Sequence, residues 1–372
     1  MSRSPLRVDV AVVGLGAVGS AALAELALAG VCVAGFDAAE PPHDLGSSHG
    51  ETRLFRVAYA EGEAYVPLAR RAVELWTALN ARAPETLFHR TGVLYAGPPG
   101  GDMIAGVRRS AARWDIPLEK RSDARPAALP AGWEAVFESG AGFAMAEASI
   151  AFRLEEARTA RAQIFTGARV ETLERVFGGW RVKAGAVELT AERLLLAAGG
   201  WTGSLRPDLA GLFAIERRVH TWFADPSGAH ALGRMPAFAL QDESGDWYYG
   251  GPAVSGRGVK LSRHQGEDPA AGPDTVDRTV RDSDTARPRD FARRAFPGLG
   301  GPSDAAVCFY TMTKDGDFVI EDQVSMTGRM TIAGLSGHGF KFAPALGEYA
   351  ADRLLGRTPK LDLSVFSPER FA

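Results

Sequence analysis

VDVAVVGLGAVGSAALAELALAGVCVAGFD, residues 8–37, decides the fold. VDVAVV is a short β-branched run of the kind that forms a buried parallel strand. It ends in GLGAVG, which sets Gly14, Gly16 and Gly19 in the G-x-G-x-x-G spacing. Alanine-rich SAALAELALAG follows with helical periodicity, Gly30 is a natural stop, and VCVAGF is a second strand ending at Asp37. Gly14 permits the tight turn, Gly16 lets the backbone approach a pyrophosphate, and Gly19 lets helix and strand pack closely. The helix N-terminus offers free N–H groups and positive partial charge. Asp37 is placed to accept hydrogen bonds from ribose hydroxyls. The unit binds a dinucleotide, and both NAD and FAD satisfy it.

Two later stretches return to the same sheet. RLLLAAGGWTGSL (193–205) is an apolar strand running into Gly199-Gly200. RMTIAGLSGHGFKFAPALGEYAADRLLG (329–356) is a strand, a glycine-rich turn and a helix with apolar Ala343, Leu346, Ala350 and Leu354. A cofactor domain assembled from three separated segments points to a flavoprotein more than to an NAD-linked dehydrogenase, which would be colourless.

Bulk properties narrow the class. A chain of 372 residues predicts two domains, and 46% apolar with 23% charged residues is a globular composition. The net charge of -3 offers no basic surface for nucleic acid or anionic membrane. Cys32 and Cys308 are the only cysteines, which argues against a disulfide framework and for a reducing compartment. Arg3 and Arg7 ahead of an apolar run imitate a signal peptide, but Asp9 and Glu25 interrupt it, and AALAELALAGVCVAGF is too short and broken to cross a bilayer. A cytoplasmic monomer is expected, with no metal site.

GSSHGETR (46–53) contains G-x-S-x-G, the turn that presents a nucleophilic serine in many hydrolases. That turn needs a strand running straight into the serine. AAEPPHDLG precedes Ser48 instead, and its prolines and charges read as loop. The hydrolase reading fails on context.

The stretch DAAEPPHDLGSSHGETRLFRVAYAEGEAYVPLARRAVELW (37–76) resembles the monomeric sarcosine oxidase and N-methyltryptophan oxidase family, FAD-dependent amine oxidases of the D-amino-acid-oxidase-like superfamily. The likeness recurs in order in WYYGGPAVSGRGVKLSRH (247–264), AAVCFYTMTKDGDFVIED (305–322) and GLSGHGFKFAPALGE (334–348). It implies an α/β fold: a discontinuous Rossmann-like FAD-binding domain (1–85, 145–215 and 305–372) and an interleaved α+β, β-rich substrate domain (86–144 and 216–304). The alternating patterns of TGVLYAG onward to about 144 and RVHTWFADPSG onward to about 304 suit the second. The implied reaction is oxidation of secondary amino acids, sarcosine-like or otherwise N-methylated. It yields an imine, then an aldehyde and free amino acid, with dioxygen reduced to hydrogen peroxide. Oxidation of cyclic amino acids such as pipecolate or proline, and a dehydrogenase of the same fold using another acceptor, are the alternatives.

The resemblance also implies roles. Cys308, which in an apolar run would by itself be an inert core residue, matches the cysteine that forms a thioether to the flavin. Lys260 shares a strand face with Ser262 and His264, by itself a solvated face; the family places the lysine near the flavin, where a fixed cation stabilises negative charge growing on oxygen. His264 matches an active-site histidine. Arg56 and Lys341 match the two cations that hold the substrate carboxylate. Arg53 and His49 belong beside the flavin ring, Tyr249 in the substrate pocket, and Tyr310 on the strand face of Cys308. His338 sits in a G-H-G turn whose N–H groups suit negative charge on the ring. Ser48, Val170, Gly199, Gly337 and Gly339 complete the cofactor contacts. The chain departs from the family at Ser48-His49, often two histidines, and in TMTKDGDF.

Overall fold

The computed structural model describes residues 6–121, 127–266 and 268–372, and Arg3 lies outside them. The strand Leu6–Val13 sits centrally in an eight-stranded sheet, parallel to Val33–Phe36 on one side and Val187–Leu196 on the other. Gln163–Phe165 extends the sheet beyond Val33–Phe36, also parallel. Val10, Ala11 and Val12 are at most 1% exposed, which is why residues 10–13 are apolar without a break, whereas Asp9 lies before the covered part of the strand and is exposed.

The ten-residue strand Val187–Leu196 is shared. Its first half pairs antiparallel with Gly179–Ala184, and its second half runs parallel to Arg329–Ala333. Three parallel strands from distant parts of the chain thus end on one edge, at Val13, Leu196 and Ala333, each followed by the small-residue turn expected of it. That edge is where ligands bind in open α/β sheets. The alanine-rich helix Ala17–Leu28 is buried on nearly every side between the helices Ala146–Thr159 and Ala343–Leu354. Its small residues allow the approach: a Cβ on Gly347 would stand 2.7 Å from the Ala21 Cβ.

The second, nine-stranded sheet runs from Glu119–Lys120 through Glu134–Glu138, Val93–Gly97, Ala237–Gln241, Trp247–Gly251 and Val259–Arg263 to Ala214–Phe223. Pro302–Met312 and Pro269–Ala270 also pair with Ala214–Phe223. Pro302–Met312 pairs along its whole length, so residues 305–312 belong by hydrogen bonding to this sheet and not, as the expected boundary at 305 has it, with the dinucleotide sheet. Two helices the alternating pattern did not suggest, Asp102–Trp114 and Asp282–Ala295, pack on this sheet. A three-stranded sheet of Thr52–Phe55, Gly142–Met145 and Phe88–His89 braces the loop that carries Arg53 and Arg56. Among the described residues no helix is long and apolar enough to cross a membrane.

Candidate active site

One cavity runs from the carboxyl edge of the dinucleotide sheet to the face of the second sheet. Its first end is backbone. Gly14 adopts φ +90, and a Cβ there would lie 2.5 Å from the Ala197 carbonyl oxygen; a Cβ on Gly19 would lie 1.7 Å from the Gly14 carbonyl oxygen. Gly19 therefore serves packing, and it does not border the cavity. The helix Ala17–Leu28 begins at Gly16 without a side-chain cap, beside open space bounded by Ser48, whose Oγ accepts the Ala17 N–H at 3.4 Å. Asp37 accepts the Leu15 N–H at 2.8 Å and the Ala39 N–H at 3.1 Å, and its Oδ1 lies 3.1 Å from the His43 Nε2. Burial opposes its ionisation, yet the hydrogen bonds from His43, Leu15 and Ala39 leave its carboxyl below the usual range. Val170 and Gly199 also line this end. An uncapped helix N-terminus and an ionised acid at the end of the second strand fit the pyrophosphate and ribose of FAD, and the cavity continues beyond them to Tyr249, His264 and Lys341.

The middle is the 46–56 loop. The Glu147 carboxylate accepts the N–H groups of Gly50 at 2.6 Å and Glu51 at 3.0 Å. Ser47 Oγ donates to the Phe309 carbonyl at 2.6 Å, and the Arg53 guanidinium donates to the carbonyls of Thr52 and Ser47, both at 2.9 Å. Arg53 borders the cavity. Lys260 and His49 do not: they lie behind the loop, with the Lys260 Nζ donating to the carbonyls of Gly50 at 2.7 Å and Thr52 at 2.8 Å. Burial and then Arg53 hold the Lys260 ammonium well below its ordinary range. His49 Nε2 is buried without a partner, and burial, with Arg53 and Lys260 beside it, lowers the ring to about 3.

Cys308 is buried and is not among the cavity-lining residues, although its neighbours Phe309 and Tyr310 are. Its Sγ lies 3.3 Å from the Nε2 of His220, a cavity-lining residue whose Nδ1 lies 3.0 Å from the Ser262 Oγ.

At the far end Arg56 and Lys341 converge on one phenol. The Tyr59 ring lies 4.8 Å from the Arg56 guanidinium carbon and 5.0 Å from the Lys341 Nζ. Lys341 donates to the Tyr59 hydroxyl at 3.0 Å and to the His338 carbonyl at 2.7 Å. The Tyr59 hydroxyl stands 2.8 Å from the His338 Nδ1, and the His338 Nε2 stands 3.1 Å from the Gly316 carbonyl. With both ring nitrogens engaged, His338 supports Lys341; only the backbone of its turn is left for the cofactor. Burial, then Lys341, lowers the ring to about 3, and burial, then Arg56, pulls Lys341 well below its ordinary range. Arg56 is paired through both terminal nitrogens with Glu61. Burial opposes the Glu61 charge, but Arg56 overcomes it and holds the carboxyl below its usual range. Tyr249 and Tyr310 join hydroxyl to hydroxyl at 3.0 Å beside His264, and Arg218 lies 4.8 Å from the Tyr310 ring. Burial raises both phenols and lowers His264 to about 4, so all three are uncharged at neutral pH.

Residues 9–353 match the family described as FAD dependent oxidoreductase. The chain belongs to that family. It is 36% identical over 375 residues to the N-methyl-L-tryptophan oxidase of Salmonella agona (strain SL483), an alignment covering 99% of this chain and 100% of that one. The Salmonella typhi protein of that name matches at 36% with the same coverage. Among solved structures, NikD, an unusual amino acid oxidase essential for nikkomycin biosynthesis, superimposes with TM-score 0.84 at 21% identity, covering 98% of each chain. L-proline dehydrogenase from P. horikoshii gives TM-score 0.83 at 19% identity, covering 99% of this flavoprotein and 98% of its own chain. At such identities the structures share the fold.

Several residues of this flavoprotein's site escaped the sequence reading. Glu61 and Tyr59 lie in a loop, where no periodicity relates them to Arg56. Glu138, whose carboxylate accepts the N–H groups of Val57 at 2.9 Å and Ala58 at 3.2 Å and the Tyr95 hydroxyl at 2.7 Å, anchors that loop from 80 residues away. His220 had a legible signal: it alternates with Arg218 and Trp222 on one face of a strand.

Proposed function

We propose that this flavoprotein oxidises secondary amino acids, N-methyl amino acids first among them, to imines that water hydrolyses to an aldehyde and the free amino acid. FAD, when bound, takes two electrons from the carbon–hydrogen bond beside nitrogen and hands them to dioxygen, giving hydrogen peroxide. The carrying observation is the convergence of Arg56 and Lys341 on Tyr59 at the end of the cavity opposite the dinucleotide loop. Both side chains border the cavity, and a carboxylate entering there meets the arginine as a fork and restores the charge that burial takes from the lysine, which makes this end a carboxylate subsite.

The other groups define what the site does without. His264, Tyr249 and Tyr310 are uncharged at neutral pH, and Glu61 is committed to Arg56. Among the described residues no free carboxylate lines that end, and His264, lowered to about 4, is too weak a base to take a proton from an ammonium, so the substrate reacts as the neutral amine, oriented by its carboxylate. Lys260, fixed by two carbonyls behind the loop, supplies the positive potential that favours reduction of oxygen. Cys308 is proposed as the point of covalent flavin attachment. Membership of the two sheets supports the division into cofactor and substrate domains, with residues 305–312 joining the second. The free cysteines support a cytoplasmic location.

The test is peroxide release with a panel of N-methyl amino acids, cyclic amino acids and the corresponding amines without a carboxylate. Turnover confined to the acids is expected. Equal kcat/KM for a substrate and its decarboxylated counterpart would falsify the assignment.

A further inference from the structure

We propose that Glu138 and Ser110 are positioning residues for the carboxylate subsite, fixing the backbone between Arg56 and Tyr59 by capturing three consecutive N–H groups. This role rests on the subsite reading above and names what sets its geometry.

Val57, Ala58 and Tyr59 follow the strand Thr52–Phe55 in irregular backbone, and all are buried. Buried N–H groups outside a helix or ladder need side-chain partners. The Glu138 Oε1 accepts from Val57 at 2.9 Å and from Ala58 at 3.2 Å, and the Ser110 Oγ accepts from Tyr59 at 3.0 Å. These acceptors come from separate elements. Glu138 ends the strand Glu134–Glu138, and Ser110 lies on the helix Asp102–Trp114. The Glu138 Oε2 accepts the Tyr95 hydroxyl at 2.7 Å, which fixes the plane of the carboxylate. Gly106 is an independent sign that the helix is shaped to this segment. It stands one turn before Ser110 on the same face, and a Cβ there would lie 2.8 Å from the Ala60 carbonyl oxygen.

The cradle is costly for a mere space-filler. Among the described residues the hydrogen-bond partners of Glu138 are all uncharged, so a carboxyl group is enclosed at 1% exposure to serve them. The two ends of the captured run supply the reason. Arg56 carries the fork, and the Tyr59 hydroxyl receives the Lys341 ammonium. The Arg56 Nε is buried with no partner among the described residues, a donor that relaxation of the backbone would pair. Held where it is, that donor stays open to a ligand carboxylate. Neither Glu138 nor Ser110 borders the cavity, so both act through Arg56 and Tyr59.

The experiment uses the flavin-loaded full-length enzyme. It reads kcat and KM for an N-methyl amino acid by peroxide release, and the competitive inhibition constant of acetate with acetamide as the uncharged control. It also reads the rate at which dithionite-reduced flavin is reoxidised by dioxygen. Glu138→Ala is expected to raise KM and the acetate constant together by about 30-fold, with kcat reduced by at most about three-fold and reoxidation unchanged. Glu138→Gln, whose amide oxygen still accepts both N–H groups, should stay within about three-fold of wild type. Ser110→Ala should raise KM and the acetate constant about five-fold. An acetate constant in Glu138→Ala within about two-fold of wild type overturns the proposal. So does a loss of reoxidation as large as the loss of acetate binding, the pattern of a merely structural residue. Glu138→Gln as impaired as Glu138→Ala also overturns it. Should Glu138→Ala not fold, unchanged constants in Ser110→Ala decide against the cradle. A wild type that acetate inhibits no better than acetamide refutes the carboxylate subsite itself, whatever the variants do.

Discussion

The two ends of the cavity are built from different materials. At the dinucleotide end the ligand surface is backbone: a turn at Gly14, an uncapped helix start at Gly16, and one acid, Asp37, held by N–H groups from its own βαβ unit. At the ring and substrate end the surface is side chains drawn from residues 53 to 341, most of them buried and several displaced from their ordinary protonation behaviour. Recognition of a constant ligand needs only fixed N–H groups and space. Chemistry on a variable one needs charges whose strength is set by excluding water, and that is a property of packing.

The sharpest way to break this contrast is Arg56→Met. It leaves the Glu61 carboxylate enclosed without its partner, a loss of about 3–5 kcal/mol in stability. Arg56→Met/Glu61→Gln should recover most of that in thermal unfolding while remaining blind to the substrate carboxylate. If the single and double variants melt alike, the ion pair is not what stabilises the loop. At the other end Gly14→Ala should lose bound flavin and about 3 kcal/mol, because it forces both a left-handed residue and a clash with Ala197. Flavin content per chain reads this directly, and full occupancy would show that the turn relaxes.

Lys260→Met should slow reoxidation by dioxygen about 100-fold while leaving anaerobic flavin reduction by substrate unchanged. Stopped-flow separates the two half-reactions, and equal losses in both would assign Lys260 to holding the loop. A smaller effect is stability against pH. His49 and His338 stay neutral in the folded chain to about 3 and His264 to about 4, whereas in the unfolded chain each takes a proton near 6.5. Between those values the unfolded chain binds more protons, so stability is full above about 6.5 and declines as pH falls through the window. Melting temperatures from pH 7 to pH 4 should fall, and His264→Phe should flatten part of the slope. Ser48→Ala removes one long hydrogen bond to the helix start and should weaken FAD binding only about two-fold, at most roughly 0.5 kcal/mol.

Legibility followed the same divide. Residues 8–37 were readable because strand period, turn glycines, helix period and terminal acid are all local, and the structure reproduces each, down to a helix ending at Leu28 with Gly30 at φ +81. The helix Tyr65–Asn80 carries a signal of the same local kind: Leu68, Ala72, Trp76 and Leu79 recur at helical spacing and are buried, with Leu75 half-buried beside them. The site residues came only by resemblance, and resemblance did not say that Lys260 and Cys308 stand behind the cavity wall, that the His338 ring turns away to Tyr59, or that Glu61 answers Arg56.

By itself the amino-acid order determined the cofactor-binding unit, the return of three distant strand ends to one edge, and the family. Only the tertiary structure decided which titratable groups are stripped of water and what each then faces. Periodicity and turn chemistry are short-range effects that sequence carries directly. Desolvation and pairing depend on segments such as 56–61, 138, 220, 260 and 338–341 that meet only once the two sheets have closed around the cavity.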